Sequence, residues 1–82
     1  MQLPNHIDLH GLTVQKGYNK TLMFIKMSFL NHKSACKIIT GRSGQMNREF
    51  RGWCNSKIFN TYVEEVYQDF HKGSWTVRLK KR

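Results

Sequence analysis

His6-Ile7-Asp8-Leu9-His10-Gly11-Leu12-Thr13 is the stretch that decides how the rest of the chain is read. Apolar Ile7 and Leu9 alternate with polar His6, Asp8 and His10, the period of a half-buried β-strand, and Gly11 ends the run. Ile7 and Leu9 are therefore expected to pack on a core, with His6, Asp8 and His10 on the opposite face. Thr13 is a favoured helix N-cap, and Val14, Tyr18, Leu22, Ile25 and Phe29 follow at helical spacing to about Asn31. Met23, Met27 and Leu30 widen that apolar face and are expected as core filler. Gly17 costs the helix up to ~1 kcal/mol relative to alanine, which extensive packing is expected to offset.

Working outward, Lys33-Ser34 makes a turn and Ala35 to Thr40 reads as a more buried strand that breaks at Gly41. Strand, helix and strand predict a right-handed βαβ unit with its strands parallel. Beyond Gly41-Arg42-Ser43-Gly44, the residues Met46, Phe50, Trp53 and Cys54 keep helical spacing. They predict a second, shorter helix to about Asn55, with Arg48 and Arg51 on its other face. Thr61 to Phe70 favours a strand, His71-Lys72-Gly73 a turn, and Ser74 to Leu79 a closing strand that alternates Trp75, Val77 and Leu79 with polar residues. The order βαβαββ predicts an α/β fold of the two-layer α+β kind. Two helices cover one face of a mixed four-stranded sheet and leave the other partly open. Residues 1–5 read as a lead-in, 6–79 as the domain and 80–82 as a basic tail.

A chain of 82 residues makes one domain, since a core this small hides only a little over ~60% of the unfolded surface. Lys and Arg total 14 against five acids, for a net charge of +9. That excess is more than solubility requires and costs stability by self-repulsion, so it points to an anionic partner. Arg42, Arg48, Arg51, Lys57 and Arg78 are scattered rather than set opposite one apolar helical stripe, which favours nucleic acid over a membrane surface. Cys36 and Cys54 fit no C-x-x-C pattern and lie in apolar segments, as reduced packing thiols do, which suggests a reducing cytoplasm. No apolar run approaches the ~20 residues of a membrane span. The expectation is a cytoplasmic monomer.

The Gly41-Arg42-Ser43-Gly44 loop joins the carboxyl end of a parallel strand to the start of a helix, where unpaired N–H groups and the helix dipole favour an anion. Two glycines let a phosphate approach the backbone, and Arg42 adds a fork that clamps phosphate oxygens. Gly11-Leu12-Thr13 occupies the same kind of position after the first strand, so His10 and both loops should meet at one sheet edge. An imidazole gives and takes protons near neutral pH, as phosphodiester cleavage requires, which makes His10 the catalytic candidate. Asp8, on the same face, can orient that ring, hold an attacking water or help to activate a ribose 2′-hydroxyl. His6, Asp8 and His10 also form H-x-D-x-H, so the one cofactor left open is a divalent cation such as Mg2+ or Mn2+.

Ile7 to Thr13 closely resembles the LDLHGLT signature of Smr (small MutS-related) domains. Thr40-Gly41-Arg42-Ser43-Gly44 stands where that family carries its TGxG-type loop. Met46, Phe50 and Trp53 resemble its L…V…W helix positions, and Gly73 to Leu79 its closing glycine turn and strand, so nearly the whole chain is covered. The resemblance implies a fold similar to the C-terminal domain of translation initiation factor three and a nicking endonuclease acting on DNA or RNA. By position it assigns the site to Asp8, His10, Gly41 and Arg42. Relatives act in DNA repair and recombination or cleave messenger RNA on stalled ribosomes, which makes the ribosome an implied partner. The chain departs from the family at Ser43, which replaces the second glycine of TGxG, and at Gln15 and Lys16, where acidic residues are usual. Met46-Asn47 replaces a Leu-Arg pair, with Arg48 adjacent to stand in for the arginine.

Two other functions fit the same residues. One is a non-catalytic nucleic-acid-binding module similar to a KH domain, whose G-x-x-G loop Gly41 to Gly44 superficially resembles. That loop joins two helices, whereas Cys36 to Thr40 reads here as a strand. The other is a ribosome or protein adaptor docking through Trp53, Tyr62, Tyr67 and Trp75, most of which the predicted core already uses.

Overall fold

Thr13 starts the first helix as expected, its side-chain oxygen accepting from the Lys16 N–H at 3.2 Å and so satisfying one of the orphan donors of the first turn. In a computed structural model that describes residues 4–41, 44–70 and 73–81, the elements run β1 (His6–Asp8), α1 (Val14–Leu30), β2 (Ala35–Ile39), α2 (Gln45–Cys54), α3 (Lys57–Asn60), β3 (Val63–Gln68) and β4 (Ser74–Leu79). The sheet has the order β1-β2-β4-β3, with β1 parallel to β2 and the other pairs antiparallel. The mixed four-stranded sheet and the closing hairpin are those the pattern predicts. The expected turn at His71-Lys72 lies outside the described residues.

Alternation decides which side of each strand meets the helices. Cys36 and Ile38 of β2 are buried, as are Trp75, Val77 and Leu79 of β4, while Lys37 and Arg78 between them are exposed. Phe50 of α2 is fully buried, its ring stacked on Trp75 at 5.1 Å and tilted against Trp53 at 5.9 Å. Tyr18 of α1 meets Trp53 edge-on at 5.4 Å and Phe59 of α3 at 5.7 Å. These rings join the helices to β4, and each well-oriented aromatic pair contributes about 0.5–1.5 kcal/mol beyond its area.

Three expectations need correction. Met23, Met27 and Leu30 are not core filler: they are 62, 41 and 45% exposed. The face of α1 that is buried consists of Gly17, Thr21, Phe24, Ile25 and Ser28, a stripe in which three small residues let the helix lie close to its neighbours. Gly17 is not merely tolerated, because a β-carbon there would lie 2.5 Å from Met46 Sδ of α2. Helix α3 is an addition to the expected order. Ser56 caps it, accepting from Phe59 N at 3.4 Å and donating to Trp53 O at 2.7 Å, and this turn drives Phe59 fully into the core. The chain therefore enters β3 at Val63 rather than Thr61, with a register shift between Val63 and Glu65.

The sheet face away from the helices is partly open and polar. Asp69, just after β3, accepts from Thr76 Oγ1 at 2.8 Å and from Ser74 Oγ, and its other partner is Lys37 Nζ at 3.2 Å. Among the described residues, no helix is long and apolar enough to cross a membrane.

Candidate nucleic-acid interface

The site is built from strand ends. Asp8 of β1 registers with Ile39 of β2, and Leu9 N donates to Ile39 O at 2.9 Å. The chain leaving β1 at His10 therefore lies beside the chain leaving β2 at Thr40. Because β4 runs antiparallel and pairs Ser74 with Ile39, the β3–β4 turn reaches the same edge. Thr40 N and Gly41 N both donate to Gly73 O, at 3.1 and 2.9 Å. Three loops thus share one end of the sheet, the end at which ligands of open α/β sheets collect.

In the first loop, Asp8 Oδ1 accepts from the backbone N–H of His10 at 2.8 Å, an Asx turn. Leu12 N then donates to Leu9 O at 3.1 Å, and Gly11 adopts φ +81°, a conformation that strains any residue with a β-carbon. Asp8 thus shapes the backbone that presents His10. Both side chains are exposed, and Leu9 between them is buried, as the alternation predicts. Thr13 commits its oxygen to the cap, and its hydroxyl proton remains a donor to the site.

The second loop differs more from expectation. Thr40 is only 7% exposed. Its hydroxyl donates to Gly41 O at 3.1 Å and accepts from Trp75 Nε1 at 3.1 Å, so it forms the wall behind the site rather than its surface. Gly41 has φ +90°, and its amide is taken by Gly73 O rather than open to an anion. Its carbonyl accepts from Asn47 Nδ2 at 2.6 Å. The glycine is needed there for its dihedral. Arg42 and Ser43 lie outside the described residues. Gly44 is the N-cap of α2 at φ +101°, makes no side-chain cap and opens a helix whose first turn holds no acid. The positive end of the helix dipole therefore faces the edge without a neutralising carboxylate.

Arg48 and Arg51 are both exposed on α2. The Arg51 guanidinium lies over the Trp75 ring at 5.4 Å, a cation–π contact that ties it to the indole bonded to Thr40. Sequence reasoning missed Asn47, Asp69, Gly73 and Trp75 as supports of this edge. Asn47 carried the one usable signal, a side-chain amide just inside a helix that follows a glycine loop. Ser74 and Thr76 hydrogen bonds, with Lys37 beside them, hold the Asp69 carboxyl below its ordinary value despite its partial burial. Burial pushes the Cys36 thiol up to about 11 and the Cys54 thiol to about 12, so neither is poised as a nucleophile. Among the described residues, no three His, Cys, Asp or Glu side chains are grouped to hold a metal ion, and His6, Asp8 and His10 do not fit a divalent cation as a set.

Residues 7–80 match the family model described as the Smr domain. No curated protein matches the chain. Among solved structures, the crystal structure of the Smr domain of Thermus thermophilus MutS2 superposes with a TM-score of 0.81 over 94% of this chain and 99% of that one, at 20% identity. At that identity the likeness speaks for the fold.

Proposed function

The chain belongs to the Smr domain family, and from that premise we propose that it binds nucleic acid at the edge shared by β1, β2 and the β3–β4 turn and nicks the phosphodiester backbone of DNA or RNA there. The observation that carries this is the Leu9–Ile39 hydrogen bond, which brings the chain leaving β1 at exposed His10 alongside the chain leaving β2 at Thr40. A phosphate docks at the helix terminus around Gly44, with Arg42 and Arg48 holding the strand. The His10 imidazole takes the proton of the attacking water, or of the 2′-hydroxyl in RNA, and a proton is returned to the leaving oxygen. Asp8 positions His10 through its backbone. No step is routed through a divalent cation, since the described residues hold no grouped ligand set.

Supercoiled plasmid and structured RNA, each with and without chelator, are the substrates for the test. His10→Ala should lower the cutting rate by about 10²–10⁴-fold, the usual contribution of an acid–base group, and leave binding nearly unchanged. Unchanged cutting would remove His10 from the mechanism, and joint loss of cutting, binding and circular dichroism would make it structural.

A binding module without catalysis is the alternative. The bond from His10 N to Asp8 Oδ1 favours it, because a carboxylate engaged with the backbone explains Asp8 without chemistry. Intact substrates under every condition, together with retained binding, would establish this alternative. The adaptor function keeps only part of its docking patch, since Trp53 and Trp75 are 9 and 3% exposed while Tyr67 is 47% exposed. A KH-type loop is ruled out by β2, which precedes Gly41 as a strand.

A further inference from the structure

Phe70 is the most exposed large apolar side chain among the described residues, at 102% against 62% for Met23. It sits in the β3–β4 turn, which the antiparallel pairing of Ser74 with Ile39 brings to the edge occupied by His10 and Gly41. The described ends of the turn are bonded firmly there. Thr40 N and Gly41 N donate to Gly73 O. Asp69 N donates to Ser74 O at 2.9 Å, and the Asp69 carboxylate takes Ser74, Thr76 and Lys37. The residue immediately before the ring is thus held by several bonds, while the ring itself meets only solvent.

Leaving a phenylalanine wholly in water forgoes the burial that normally stabilises it, and nothing in the fold requires it there. Its neighbours Gln68 and Asp69 are polar, and Tyr67 is the nearest exposed aromatic along the chain, at 47%, so what the turn offers is aromatic ring surface among polar groups. In a domain of net charge +9, the partner at this edge is anionic. The flat apolar group that accompanies phosphates is a nucleobase. A base can stack on a side chain only when its face is not covered by its neighbours in a duplex.

We propose that Phe70 stacks on an unpaired nucleobase next to the phosphate held at the start of α2, so that the domain prefers single-stranded, looped or extruded nucleotides over continuous duplex. The proposal rests on the nucleic-acid function proposed above and adds the class of substrate to it. The ring supplies affinity for the base face, and the basic residues supply affinity for the backbone.

The test compares a fluorescein-labelled mixed-sequence single-stranded oligonucleotide with the same sequence as a blunt duplex, over a range of salt. Phe70 makes no packing contact, so Phe70→Ala should fold, and circular dichroism checks it. The wild type should bind the single strand more tightly. Phe70→Ala should weaken that binding about tenfold, within the range for one stacked base, and leave duplex binding and the salt slope as they were. Phe70→Trp should retain the preference, and Met23→Ala, on the flank of α1, should not alter it. Wild-type affinity of Phe70→Ala for the single strand would overturn the proposal and leave the ring to a protein contact. Equal loss on both substrates, or an equal loss in Met23→Ala, would overturn it as general stickiness. If the wild type bound neither substrate in a salt-dependent way, the nucleic-acid function itself would fall.

Discussion

Asp69 shows how much of this site depends on single groups that touch no ligand. Its carboxylate gathers Ser74, Thr76 and Lys37 and is held below its ordinary value of 3.8. A depressed folded-state value means that the stabilisation is present above 3.8 and is lost as pH falls through the lower folded value. Asp69→Asn should therefore cost about 1–2 kcal/mol at neutral pH. Most of that comes from the hydroxyl bonds, because Lys37 is half exposed and its ion pair is screened. Urea unfolding should show the gap between wild type and variant closing well below pH 3.8, and a gap independent of pH would mean that the charge contributes nothing. At this scale the sequence was legible only where a local pattern carried the information. Alternation set Asp8 and His10 on one face, and the cap preference placed Thr13. Gly73 and Trp75 act on Thr40 and Gly41 from far along the chain, which no local period encodes. For the same reason Thr40, expected at the surface of the loop, is found buried against Trp75.

Helix α1 was placed correctly, and Val14, Tyr18, Leu22 and Ile25 do meet the core, but its apolar face was drawn too wide. Its bounds follow from Thr13 and from the turn after Leu30, both local. Its rotation follows from what it packs on, and there the rule that large apolar residues are buried misleads. Close approach selects Gly17, Thr21 and Ser28 for the inner stripe and leaves Met23 and Met27 outside. Gly17 against Met46 is the tightest point of that approach. Gly17→Ala gains helix propensity of about 1 kcal/mol but displaces the flexible end of the Met46 side chain, so a net gain smaller than about 1 kcal/mol is expected. In a Met46→Ala background the same change should stabilise more, because the thioether is gone. A double-mutant cycle in urea measures the coupling, and additive effects would show that Met46 moves aside freely. Helix α3 escaped detection because its four residues are shorter than any periodicity window, although Ser56 is a recognisable cap.

For the molecule as a whole, element order and charge were the legible quantities. The order βαβαββ constrains the topology because parallel strands need a crossover and a closing pair needs only a turn, and the sheet order β1-β2-β4-β3 follows that logic. Charge gives the remaining prediction. With +9 overall, the logarithm of the binding constant should fall steeply against the logarithm of salt concentration. Each phosphate neutralised contributes a slope of about −0.7 on single strands. Arg48→Ala should weaken binding alike on every sequence and reduce the slope by about 1, and an unchanged slope would take Arg48 out of the interface. The margins of the sheet carry a last consequence. One is β1, three residues long. The other is β3, whose exposed Glu64 and Glu65 sit at the register shift. Neither offers the long, flat, uncharged rim on which further strands can add, so a concentrated stock of so small a fold is guarded against fibril growth by the shape and charge of its own borders.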